Sequence, residues 1–150
     1  MKTRSPIALP VPQLLAASLL ALGLAGCASG PGYAEYRRTL PPPPEGQTRV
    51  WFYRPSMLGA AVQPAVKLDG RSVGSAVPRG FFHVETEPGT HEVSITTEWT
   101  HKAQINPTTN SETYVRLNMA LGFMVGHVVP VEVTPEKAAR DLGSLRHAKP

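Results

Sequence analysis

From residue 48 onward, apolar and β-branched positions come in short runs separated by turn residues. Val50-Trp51-Phe52-Tyr53 is a compact run of strand-forming residues closed by Arg54-Pro55. Residues 65–68 and 71–75 alternate on either side of Asp69-Gly70, a dipeptide that predicts a two-residue hairpin because both central positions need positive φ. That loop length sets Leu68 opposite Arg71, Lys67 opposite Ser72 and Val66 opposite Val73. Residues 81–87 and 90–97 flank Pro88-Gly89, placed for a type II turn. They predict a second hairpin, with Val84 opposite Val93 and Phe82 opposite Ile95, although Glu85 would then face Glu92. A weaker strand over 102–105 follows Trp99, then an alternating run at 113–118 and an apolar stretch over 119–133 around Gly122, Gly126 and Pro130. Thr134-Pro135-Glu136 predicts a helix start, with Thr as cap and Pro in the first turn, and Gly143 marks its end. Seven or eight short strands with turn signals about every ten residues predict an antiparallel β-sandwich with a short C-terminal helix.

The first third of the chain reads differently. Residues 28–47 keep no apolar period and contain Pro41-Pro42-Pro43-Pro44, so they predict a polyproline spacer reaching roughly 60 Å at 3.1 Å per residue. Ahead of it, Lys2 and Arg4 precede an apolar run over 14–26 broken only by Ser18. This run falls short of the roughly 20 residues that span a bilayer and reads as an export leader. Leu24-Ala25-Gly26-Cys27 resembles the bacterial lipobox, which implies cleavage before Cys27 and acylation of that cysteine. One fatty chain binds a membrane only marginally, whereas several together anchor firmly. The organisation expected is therefore a leader over 1–26, a lipid-bearing Cys27 with a proline-rich linker over 27–47, and a sandwich over 48–150. Ala28 and Ser29, where Asp would favour the inner membrane, point to the outer membrane of a Gram-negative envelope, facing the periplasm.

Charge and chemistry narrow the function. Lys2 and Arg4 leave with the leader, taking two from the formal charge of +4, and an exported chain is not expected to meet nucleic acid. Arg37 and Arg38 read as a solvated linker pair or as contacts to anionic headgroups. A single cysteine excludes an intrachain disulfide and a cysteine-based zinc module. Gly70-Arg71-Ser72-Val73-Gly74 has the spacing of a nucleophile elbow, but that motif needs a strand-to-helix turn and Ser72 follows a hairpin. His83, Glu85 and Glu92 would share one face of the second hairpin, where carboxylates and imidazole could bind a metal, or simply form a polar outer face. No cofactor or metal is expected. Trp51, Phe52 and Tyr53 are consecutive, so they cannot all face one way. Trp51, Tyr53 and Trp99 are thus the candidate binding surface, for a protein or a sugar.

The string Val66-Lys67-Leu68-Asp69-Gly70, then Val73-Gly74, then Pro88-Gly89-Thr90-His91-Glu92-Val93, resembles PEGA-type surface β-domains. It is closer to a family of bacterial lipoproteins classed as a domain of unknown function. Trp51-Phe52-Tyr53-Arg54-Pro55, Gly80-Phe81-Phe82 and the late Gly122-x-x-x-Gly126 add to that likeness, which covers about residues 48–133. The resemblance implies a fold and brings no catalytic residues. The expected function is a membrane-anchored, non-catalytic binding or scaffolding module that contacts another envelope protein. A peptidoglycan- or glycan-binding module is the alternative, and a hydrolase a third.

Overall fold

A computed structural model of the chain describes residues 28–122 and 126–149. The leader, the lipobox Leu24-Ala25-Gly26 and Cys27 lie outside the described residues. Among the described residues, nine strands form two sheets: β1 (Thr48–Arg54), β2 (Ala65–Leu68), β3 (Arg71–Ser75), β4 (Gly80–Thr86), β5 (His91–Thr96), β6 (Thr100–Ile105), β7 (Glu112–Ala120), β8 (His127–Val133) and β9 (Arg146–His147). The larger sheet has the order β8-β7-β1-β4-β9, and the smaller β3-β2-β5-β6. The sandwich is mixed rather than purely antiparallel, because β1 pairs in parallel with β7, and β4 with β9.

Position in the larger sheet explains the aromatic run. β1 is the central strand and every one of its residues is buried. Phe52 and Val50 point between the sheets, where they meet Val66, Phe82, Val93, Ile95, Val115 and Leu117. Trp51 and Tyr53 point to the opposite face, into a second core with Phe81, Tyr114, Ala138, Leu142 and Leu145. Two helices cover that face: α1 (Tyr33–Thr39) and α2 (Pro135–Leu142). The molecule thus has three layers, small sheet, large sheet and helices, and a strand buried on both faces is apolar at successive positions.

The helix α2 forms as its sequence predicts. Thr134 Oγ1 accepts from the Lys137 backbone N–H, Pro135 opens the first turn and Gly143 follows the last. Helix α1 corrects the spacer reading. Tyr33, Tyr36 and Leu40 fall on one helical face and pack on the second core, so this segment is docked rather than extended. The chain is also stitched down before and after α1. Gly30 N–H donates to His147 O (3.1 Å), His147 N–H to Pro31 O (2.9 Å), and Arg49 Nη2 to Pro41 O (2.8 Å).

Two strand pairings differ from expectation. Asp69 and Gly70 both have positive φ, as the β2–β3 turn requires, but a bulge places Gly74, not Val73, opposite Val66. A Cβ on Gly74 would sit 2.7 Å from the Phe82 ring of the other sheet, so only glycine admits the close approach. The segment around Pro88-Gly89 is no hairpin. It crosses between the sheets, β4 pairing with β1 and β5 with β2 and β6. Val84 therefore faces Val50, and Phe82 stacks on Phe52 with ring centres 5.1 Å apart. The crossover separates Glu85 from Glu92 and gives each a cation: Arg49 at 2.7 Å and Lys102 at 3.1 Å.

Candidate functional site

The three aromatics singled out in the sequence are not brought together. Trp51 and Tyr53 are fully buried, while Trp99, in the β5–β6 turn, is 68% exposed. Trp51 sits edge-on to Tyr33 of α1, ring centres 5.0 Å apart, and 5.1 Å from the His83 ring. The Tyr53 hydroxyl donates to Asp141 Oδ2 of α2 (3.1 Å). Burial, reinforced by that carboxylate, pushes the Tyr53 phenol well up. Burial also pushes Asp141 up, but Lys137, Tyr53 and nearby Arg116 outweigh it and hold its carboxyl below the usual range. These groups fasten α2 to the sheet.

The histidine and carboxylate cluster also comes apart. His83 and Glu85 stay together on β4, with His83 Nε2 3.5 Å from Glu85, but Glu92 lies on the other sheet. Burial pulls the His83 pKa down, with Glu85 opposing and Arg49 reinforcing the shift. His147 stacks on Tyr36 at 4.0 Å, and burial lowers it too, with Lys149 adding to the effect. Burial thus favours the neutral form of both rings beneath α1. Ser72 is exposed on β3, which leads into β4 with no helix between, so the strand-to-helix turn of a nucleophile elbow is absent there. Among the described residues no group of three or more His, Cys, Asp or Glu is placed to hold a metal.

A surface feature that sequence reading missed lies at the end of the sandwich where β1 and β7 begin. Arg37 of α1 reaches Glu112 of β7, Nη2 to Oε2 at 2.7 Å, and its Nη1 donates to the Tyr33 hydroxyl at 3.0 Å. The Tyr114 hydroxyl donates to the same Glu112 oxygen at 2.7 Å. Around this group runs an open groove of about 490 Å³, lined by Tyr33, Asn110, Glu112, Tyr114, Pro135 and Ala139. Two further grooves share Ser111 and Glu112, one running under Thr134 and one under Pro42-Pro43-Pro44. Together they form a furrow whose lining mixes charged and aromatic side chains. Arg37 and Glu112 are far apart in sequence and on elements whose pairing is not local. The spacing of Tyr33, Tyr36 and Leu40 was the available signal for α1, which carries Tyr33 and Arg37 to the groove.

Fold and surface together define a small two-sheet β-domain roofed by helices on one face. Residues 44–128 match the family described as Protein of unknown function (DUF2846), and the chain belongs to that family. The match runs from just before β1 to the start of β8, so both helices and β9 flank the family core. An uncharacterized protein of Haemophilus influenzae is 25% identical over 107 residues, 71% of this chain. The aligned part spans 64% of that relative's length. No solved structure matches.

Proposed function

We propose that the chain is an envelope lipoprotein, held by lipid on Cys27 at the outer membrane and facing the periplasm, whose PEGA-like sandwich works as a non-catalytic binding or scaffolding module. The observation that carries the anchor is Leu24-Ala25-Gly26-Cys27 closing an apolar leader, with Cys27 the one cysteine of the chain. The contact role draws on the furrow around Glu112, where a pre-arranged cation, carboxylate and phenol stand in an open groove of ligand size. An envelope protein segment carrying both charge and an apolar side chain fits that chemistry. The glycan alternative keeps only Trp99 of its three aromatics at the surface, because Trp51 and Tyr53 are buried.

Docking of α1 changes what the anchor does. With residues 30–41 bonded to the domain, the sandwich rides close to the membrane instead of at the end of a long spacer. The anchor is tested by growing cells with an alkyne-tagged fatty acid. The wild-type chain is expected to take up the tag and Cys27→Ser to take up none. Equal tagging of both chains, or none of either, would overturn the reading.

A further inference from the structure

The two ends of the sandwich differ in character. β1 and β7 finish at one end, where β4, β8 and β9 begin. The smaller sheet brings Ala65 and Thr96 to the same end, because Val66 pairs with Ile95 and Arg54 donates to the carbonyls of Val62 and Ala76. The loops over 55–64, 76–79 and 97–99, together with residues 121, 122 and 126 of the β7–β8 connection, therefore lie at that end. Among the described residues five large apolar side chains are exposed, and four of them, Met57, Leu58, Trp99 and Leu121, lie in these loops. None lies in the loops of the opposite end, which carries Asp69, Glu87, Asn106 and Asn110 instead.

The apolar loops adjoin one another. The Met119 methyl packs so close to Gly59 and Gly126 that a Cβ on either would lie 2.6 Å from it, which sets loop 55–64 beside Gly126. Thr97 Oγ1 and His127 Nδ1 are 3.1 Å apart, which brings the Trp99 turn beside the start of β8. Leu121 is 88% exposed and Trp99 68%, although burying either apolar side chain would be favourable. Such side chains gathered at one pole mark a contact surface.

A separate observation bears on what covers this end. The chain enters the described structure at this same end. Ala28, the residue after Cys27, lies against Gly80 at the start of β4, where a Cβ on Gly80 would be 3.2 Å from the Ala28 methyl. β4 and β7 flank β1, so the entry point and the apolar loops are about 10 Å apart at ordinary strand spacing. Arg79, Arg146 and Lys149 stand at this end as well, Arg79 donating to the carbonyls of Pro55 and Ser144. The acidic residue there, Glu98, is 3.6 Å from His127.

We infer that this end is a membrane-contacting pole. Trp99, Leu121, Met57 and Leu58 enter the boundary between headgroups and acyl chains, and the basic residues meet anionic headgroups. The inference rests on the anchor reading, since the lipid on Cys27 would hold the pole against the bilayer. An indole with an apolar body and a polar N–H suits that depth. The strands then stand along the membrane normal and the furrow around Glu112 faces away from the lipid.

The test uses the lipidated protein purified from membranes and reconstituted into phosphatidylethanolamine–phosphatidylglycerol vesicles, with and without lipids brominated on their acyl chains. Bromine quenches only nearby indoles, and Trp51 and Trp99 are the two tryptophans of the chain. The wild type is expected to lose the Trp99 share of its emission, while Trp99→Phe loses none. Flotation of the same samples reads the anchor separately. Protein that floats with the vesicles and stays unquenched would overturn the membrane pole and leave the anchor standing. Protein that fails to float would overturn the anchor itself. Equal quenching in the wild type and Trp99→Phe would place the signal at Trp51 and contradict the pole as described.

Discussion

Arg54→Met is expected to destabilise the fold by about 3 kcal/mol, the net of lost hydrogen bonds and a relieved charge. Arg54 is fully buried at the end of the central strand. Nη1 donates to Val62 O at 2.6 Å and Ala76 O at 2.8 Å, and Nη2 to Leu58 O at 2.6 Å and Gly59 O at 2.9 Å. One guanidinium thus closes the loop between the sheets and ties it to the end of β3. Burial draws the Arg54 pKa down, which reflects the cost of holding a cation among main-chain dipoles. Methionine keeps much of the volume and donates nothing, so four carbonyls lose their partner at about 1 kcal/mol or more each. Escape from burying a charge, and rotation of loop carbonyls to water, return part of that sum. Arg54→Lys keeps the charge but offers one nitrogen in place of a fork, and is expected to cost about 2 kcal/mol. Urea unfolding with an unchanged slope reads both values, and a loss under about 0.5 kcal/mol for Met would contradict this role.

Trp51→Ala is expected to cost about 3–5 kcal/mol, whereas Trp99→Ala changes stability by no more than about 0.5 kcal/mol. Trp51 has no exposed surface and joins β1 to two elements: its ring meets Tyr33 of α1 edge-on at 5.0 Å, and Phe81 and His83 of β4 at 6.0 Å and 5.1 Å. Removing it opens a cavity beneath α1, and a seven-residue helix cannot persist without its packed face. Near-ultraviolet circular dichroism is expected to lose its tryptophan bands in Trp51→Ala and to change little in Trp99→Ala. The indole Nε1 of Trp51 has no hydrogen-bond partner, so Trp51→Phe forfeits packing alone and is expected to fall between the two. Comparable losses in Trp51→Ala and Trp99→Ala would contradict the assignment of one tryptophan to the core and the other to the surface.

Local chemistry was legible in the sequence where local chemistry decides. The Asp69-Gly70 turn, the cap on α2 and the alternation of most strands follow from propensity and spacing over a few residues. Partner choice between distant strands does not. Pro88-Gly89 reads as a hairpin because a turn signal cannot say whether the next strand returns to the same sheet or crosses to the other. The expected clash of Glu85 with Glu92 was the clue, and Arg49 and Lys102 resolve it. Helix α1 was hidden by proline and glycine on both sides, which mask the Tyr33-Tyr36-Leu40 stripe, and two-residue β9 has no period to detect. The furrow was illegible because it depends on Arg37 of α1 meeting Glu112 of β7, a tertiary contact between elements far apart in sequence. The apolar pole likewise depends on non-local contacts within and between the sheets, which bring residues 57, 99 and 121 to one end.

Intact-mass and N-terminal peptide analysis of the protein taken from cell membranes tests the central claim most directly. A chain beginning at Cys27, its amine and sulfur both carrying fatty acyl mass, is the result expected. A chain still bearing residues 1–26, or one with an unmodified Cys27 thiol, would contradict a lipid-held module and, with it, the orientation of the sandwich on the bilayer.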